Sequence, residues 1–206
     1  MTTTPPGSEP GGPLEFAPED WDERSVYHLL SGLIVPRPIG WISTLGPDGV
    51  RNLAPFSFFN AVAAFPPHVM FSMNEGKDTA RNVTANREFV VNIVTRQLIE
   101  RVERTSARVA PDVDEFDLAE LSASPSAVVR APRVTDAPAH LECRLVRLID
   151  VTGWTVAIGE VVHMHVSPGI CHEGRVDPER LEPVGRLAGG AYTTLGETFR
   201  LPPVRA

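Results

Sequence analysis

The chain has 206 residues and 22.4 kDa, enough for one ordinary domain and short for two. It is 42% hydrophobic and 22% charged, a globular composition, and its net charge of -7 without a basic stripe argues against nucleic-acid or membrane-surface partners. Two cysteines, Cys143 and Cys171, exclude a disulfide framework, and no apolar run approaches the roughly 20 residues of a membrane-crossing helix.

Residues 1–13 (MTTTPPGSEPGGP) have almost nothing to bury and read as a flexible tail. They carry no Lys, Arg or apolar stretch, so they do not read as a signal peptide, and the cytoplasm is the expected compartment. Residues 14–206 are expected to form the single domain. Its 20 prolines and 16 glycines are spread along the chain, as in many short strands joined by turns.

Residues 39–45 (IGWISTL) and 50–56 (VRNLAPF) flank Gly46-Pro47-Asp48-Gly49 and predict a β-hairpin. Pro55 cannot donate to a ladder, so the second strand must bulge, lie at an edge or end there. A strand at 68–73 follows the Pro66-Pro67 break, and Asp78 or Thr79 is the expected cap of a helix running to about Arg87. Residues 89–95 read as a strand, and 96–110 as an amphipathic helix with Leu98, Ile99 and Val102 on one side. Residues 112–137 look irregular and surface-wrapping. Two long strands, 140–151 and 154–166, come next. The first shows a phase slip between Leu145 and Val146 that suggests a bulge. In the second the even positions from Trp154 to Val166 are apolar apart from Glu160, which predicts a half-buried even face, with Gly159 offering a bend.

Three segments carry chemistry that packing does not require. In 36–44, Pro36 and Pro38 hold Arg37 in a stiff frame and the strand ends in Ser43 and Thr44; the alternative is a plain strand start with a surface Arg. In 52–60, small residues and Pro55 interrupt the ladder and free backbone dipoles beside aromatic bulk, which suits a flat heteroaromatic ligand; a bulged core strand fits equally. In 77–82, Lys77 before a helix start, with Thr79 and Arg81, makes an anion cradle or merely a solvated charged cap. Dinucleotide, Walker, GxSxG and HExxH motifs are missing. His163, His165, Cys171 and His172 match no established zinc spacing, so no metal is expected.

Together the runs 33–44 (LIVPRPIGWIST), 52–60 (NLAPFSFFN) and 77–82 (KDTARN) resemble the flavin reductase-like family, flavoredoxin type. The likeness continues through 141–144 (LECR), 159–166 (GEVVHMHV) and 183–192 (PVGRLAGGAY), with Ala188 where the family often has Gly. It implies a mainly β fold, an FMN-binding split β-barrel with a few peripheral helices. It also implies a homodimer that holds FMN non-covalently near its interface. The implied FMN contacts are Arg37, Trp41, Ser43 and Thr44; then Asn52, Ala54, Pro55, Phe56, Ser57 and Asn60; with Lys77, Asp78, Thr79 and Asn82 around the phosphate. Arg186 and Tyr192 are expected to close the pocket, from this chain or the partner chain. The implied activity is hydride transfer from NAD(P)H to FMN, with reduced flavin passed to an oxygenase or redox partner and no protein nucleophile needed. Two alternatives remain: an FMN-containing electron-transfer protein reduced by a partner, and a non-enzymatic flavin-binding barrel.

Overall fold

The computed structural model describes residues 15–202; the expected tail at 1–13 lies outside the described residues. The first helix, α1 (Glu23–Leu33), starts at Asp22, whose side chain accepts from the N–H groups of Arg24 and Ser25 at 3.0 and 3.1 Å. Only Ser31 of this helix is buried, so the helix rides on the surface.

A short β1 (Arg37–Pro38) precedes the expected hairpin of β2 (Gly40–Leu45) and β3 (Arg51–Phe56), which runs in register from Gly40 opposite Phe56 to Leu45 opposite Arg51. Gly49 closes the turn at a φ of 85°, a conformation other residues adopt at a cost. Next come β4 (Phe59–Ala64), β5 (Pro67–Asn74), α2 (Asp78–Asn86) and β6 (Glu88–Ile93). Then follow α3 (Ile99–Arg104), α4 (Glu115–Leu118), and the two-residue strands β7 (Ala123–Ser124) and β8 (Arg133–Val134). The long hairpin β9 (Ala139–Val151) and β10 (Trp154–Val166) precedes β11 (Cys171–His172), β12 (Arg175–Val176), α5 (Pro178–Leu181), β13 (Val184–Arg186) and β14 (Tyr192–Thr194).

Seven strands form one antiparallel sheet in the order β3-β2-β6-β9-β10-β5-β4. They curve around a shared interior to which β2, β3, β5, β6, β9 and β10 each contribute, among them Ile42, Phe71, Phe89, Cys143 and Ala157. The two edges, β3 and β4, are joined through Ser57 and Phe58 but share no ladder, so the barrel is split along that seam. The fold is therefore the expected mainly β split barrel. A second apolar cluster covers the outer side of β2, where Trp41 and Leu53 pack with Leu98, Val102, Phe116 and Val134.

Pro55 sits on an edge strand, one of the three places open to it. Leu53, in the same outward-facing row, gives its N–H to Glu115 rather than to β2, so the N–H that Pro55 lacks costs the ladder nothing. The phase slip in β9 is a bulge: Ile158 pairs with Arg147 and Gly159 with Leu145, leaving Val146 out. A second bulge skips Val162.

Four expectations need correction. In β10 the buried row is the odd one, Ala157, Gly159 and Val161, while Met164 and Val166 on the even row are exposed. The barrel interior is too narrow there for larger residues: a Cβ on Gly159 would lie 2.4 Å from the Phe89 ring. The amphipathic stretch at 96–110 is helical only to Arg104, because Thr105 turns to accept the Trp41 indole N–H at 2.9 Å and donate to the Val102 carbonyl at 2.8 Å. Leu98, Ile99 and Val102 do face the core. Residues 112–137 are not a mere surface wrap, since Phe116, Leu121, Ala131 and Val134 are buried. Finally, the N-cap of α2 is Lys77, not Asp78 or Thr79, and no side chain caps that helix.

Candidate functional site

A cavity of about 410 Å³ opens beside the split, between β3 and β5, within the size range of small-molecule sites. Its floor is Ala54, Pro55 and Phe56 of the edge strand with Ser57 and Phe58 of the turn, and its far wall is Ser72–Asn74. The Ser72 N–H donates to the Phe58 carbonyl at 2.8 Å and pins that turn in place. At one end three rings gather: Phe58 and Trp154 lie stacked at 5.4 Å and 24°, and Tyr27 of α1 stands 6.4 Å from Phe58.

The cavity also reaches the start of α2. Lys77, Asp78 and Thr79 line it, and the first N–H groups of the helix have no side-chain cap. Uncapped donors, the positive end of the helix and an ammonium converge there, the arrangement that holds a phosphate. Asp78 is occupied by Arg81 at 3.1 Å. Residues 105–109 form the remaining wall and bring Arg108 to the cavity.

Beneath that end runs a chain of buried polar contacts. Asn82 Nδ2 donates to Thr44 Oγ1 at 3.0 Å, and Thr44 donates to Asn52 Oδ1 at 3.2 Å. Thr79 Oγ1 donates to the same Asn52 oxygen at 2.8 Å. Asn52 Nδ2 then donates to Glu115 Oε1 at 3.0 Å, while the Leu53 N–H reaches Glu115 Oε2 at 3.1 Å. Burial pushes the Glu115 carboxyl above its ordinary range; the Leu53 N–H and the Asn52 amide pull it back, and the charge of Asp78 adds to the rise.

Of the expected contacts, Asn52, Ala54, Pro55, Phe56, Ser57, Lys77, Asp78 and Thr79 line this one cavity. Thr44 and Asn82 sit behind it, holding Asn52. Arg37 is buried behind the rim: it donates to the carbonyls of Ser31, Ile34 and Leu187, and its Nε lies 3.4 Å from Ser57 Oγ. Trp41 and Ser43 are fully buried and do not line the cavity, with Ser43 donating to the Pro132 carbonyl. Asn60 is exposed and accepts from the Ala61 N–H. Arg186 stacks on Tyr192, and both contact Glu103, away from the cavity in this chain. Tyr27, Trp154, Arg108 and Glu115 were not singled out in the sequence. Glu115 is buried in an acidic run (DVDEFD) that reads as solvated, and the loop carrying Arg108 reads as helix.

The histidines form a different cluster. Glu142, fully buried, accepts from the N–H groups of Ala127, Val128 and Val129 and lies 2.6 Å from His165 Nε2. Burial works to raise its pKa, but the Ala127 N–H, the His165 ring and the Val128 and Val129 N–H groups prevail and hold it at about 2. No group of three or more metal-ligating side chains occurs among the described residues.

Comparison with known proteins puts this geometry in context. The chain is 37% identical to nitrilotriacetate monooxygenase component B from Bacillus cereus, covering 93% of this chain and 100% of that one with a TM-score of 0.91. It is 30% identical to the 2-nitrobenzoate 2-nitroreductase of Pseudomonas fluorescens, over 92% and 95% of the two chains, with a TM-score of 0.86. A flavin reductase (NADH) from Kitasatospora aureofaciens is 30% identical over 151 residues, 73% of this chain and 75% of that protein. The flavin reductase like domain model matches residues 31–177, so the chain belongs to that family and its function is a flavin-linked oxidation–reduction.

Proposed function

We propose that the protein is an NAD(P)H-dependent flavin reductase that binds FMN non-covalently in the cavity at the barrel's split. The observation that carries this reading is the junction of two unlike surfaces: an aromatic and edge-strand wall, and an uncapped helix start bearing Lys77. FMN has the matching halves, a flat ring and a phosphate.

The donor set fits that group. The N–H groups at the start of α2 and the Lys77 ammonium would hold the phosphate, with Arg108 able to reach it from the facing wall. The Thr79 hydroxyl proton is already committed to Asn52, so Thr79 serves through its N–H and its anchoring. Outward-facing backbone groups of Pro55 and Ser57 would meet the polar edge of the ring, and Trp154 and Phe58 would cover a face of it. Bound flavin supplies the acceptor for a hydride pair and releases the electrons afterwards. This chain's own residues contribute position, exclusion of water and charge. The buried Arg37 guanidinium, paired with no carboxylate among the described residues, sets a positive charge behind Ser57 that favours an anionic reduced ring.

A homodimer belongs to the same proposal. Leu30 and Leu33 of α1, Ile34 and Val35 after it, and a Phe65 that is 97% exposed are large apolar side chains left open, which a second copy would cover. The similarity to a monooxygenase component B supports an oxygenase as the recipient of reduced flavin. No described helix is long and apolar enough to cross a membrane, and we assign the protein to the cytoplasm as part of this proposal.

An anaerobic titration tests the reading. Purified protein loaded with FMN should lose its visible absorbance on adding NADH or NADPH. If dithionite alone bleaches it, the electron-carrier reading replaces this one, and if FMN does not bind, both fall.

A further inference from the structure

The contacts under the cavity have a fixed polarity. An ionised carboxylate only accepts, and Glu115 spends one oxygen on each of two donors: the Leu53 N–H at 3.1 Å and Asn52 Nδ2 at 3.0 Å. With its nitrogen held there, Asn52 must turn its oxygen toward Thr79 and Thr44, and it receives both hydroxyl protons. Thr44 gives its proton to Asn52, whose amide oxygen can only accept, while the Thr44 oxygen accepts from Asn82 Nδ2. All five side chains are buried, at 6% exposure or less, so a lost partner leaves a buried polar atom unpaired at a cost. The chain thus ties the first turn of α2, through Thr79, to β3 and α4.

We propose that Glu115 is a positioning residue for the flavin phosphate: as an acceptor-only anchor it orients Asn52 and, through Thr79, fixes the start of α2 so that its free N–H groups face the cavity. This rests on the flavin reading above and adds a residue that does not itself touch the phosphate.

Replacing Glu115 by Gln reverses one end of the chain. The Leu53 N–H cannot rotate and keeps the Gln oxygen, so the Gln nitrogen meets the Asn52 nitrogen, donor against donor. Asn52 can then turn only by withdrawing its oxygen from Thr79 and Thr44. Protonating Glu115 has the same consequence, because one carboxyl oxygen then presents a proton to a donor. The charged groups around Glu115 are Asp78 of α2, Lys77 at its N-cap and Glu75 before it, Arg108 on the facing loop, and Arg51 of β3, paired with Asp114 and Asp117. None is altered in E115Q, so the difference between wild type and variant isolates Glu115. Simple electrostatics makes the opposite forecast, since removing a negative charge near a phosphate should tighten binding.

The test is titration of full-length wild type, E115Q and Thr79→Val with FMN and with riboflavin, read by quenching of flavin fluorescence from pH 8 to pH 5. Thr79→Val keeps the volume and removes only the hydroxyl, so it answers even if E115Q folds poorly. Both variants should lose about tenfold or more in FMN affinity while riboflavin affinity stays within about twofold, and the double variant should lose no more than either single one. The wild-type advantage over E115Q should shrink toward acid; the phosphate's own titration near pH 6 affects both proteins and cancels. FMN affinity in both variants that is unchanged or tighter, equal loss of FMN and riboflavin, or losses that add in the double variant would each overturn the inference. If wild type binds neither flavin, the flavin reading itself fails; if it binds both and the variants keep the wild-type preference for FMN, only the role of Glu115 fails.

Discussion

Glu142 on β9 and Glu115 on α4 are both buried carboxylates that accept main-chain N–H groups, yet their surroundings pull them in opposite directions. Glu142 takes three N–H groups and a histidine, and its pKa is held at about 2. Glu115 takes one N–H and one amide, faces Asp78 across the cavity end, and is pushed up instead. The first site is saturated and has nothing to offer a ligand. It staples residues 127–129 to the barrel wall. The second has fewer donors, sits beside uncapped N–H groups, and has its carboxyl pushed above the ordinary range by burial. Burial alone does not separate a structural carboxylate from a functional one; the count and kind of its donors do.

The largest effect should come from breaking the saturated site. Glu142→Gln gives up the charge that three N–H groups and His165 stabilise, and urea unfolding at pH 7 should show a loss on the order of 3 kcal/mol with flavin affinity retained. The sign in acid follows from the lowered pKa: the stabilisation is complete above the unfolded carboxyl's pKa near 4.5 and disappears as pH falls through about 2. A variant with wild-type stability would remove Glu142 from its stapling role. Next in size is Gly159→Ala, which sets a methyl against Phe89 inside the barrel; thermal unfolding should report a cost of about 1–3 kcal/mol.

At the open site the change should appear in binding rather than stability. Lys77→Ala should weaken FMN by about tenfold in a fluorescence titration, leave riboflavin nearly unaffected and hardly move the melting temperature. Equal weakening of both ligands would take Lys77 away from the phosphate. The smallest effect is expected for His165→Ala, which removes one of the four partners of Glu142: roughly 1 kcal/mol of stability and no change in FMN affinity. A flavin-binding defect in that variant would join the two sites that the comparison holds apart.

Much of the barrel was legible because local chemistry and tertiary structure agree. Gly46-Pro47-Asp48-Gly49 specifies the hairpin, Pro55 limits its strand to a bulge, an edge or an end, of which the fold uses the edge, and the slip at Val146 is a bulge. The buried face of β10 is ambiguous in the sequence because apolar residues occupy both rows, and which row turns inward is decided across the sheet by the Phe89 ring against Gly159. At the site, contiguous runs announced themselves: Asn52, residues 54–57 and residues 77–79 line the cavity as a group. Trp41 and Ser43 share the β2 run with Thr44 but are consumed by Thr105 and Pro132, partners that lie 64 and 89 residues away in sequence. Glu115 was invisible for the converse reason. Its significance lies in two hydrogen bonds to β3, more than 60 residues upstream, and a local acidic run gives no hint of them.

The most direct measurement of the central claim is a crystal structure of the protein grown with FMN. The account predicts the phosphate at the N-terminus of α2, within hydrogen-bonding distance of Lys77 and the first helical N–H groups, with the ring against residues 54–58 and Trp154. A flavin whose phosphate lies elsewhere, with the start of α2 empty, would contradict it.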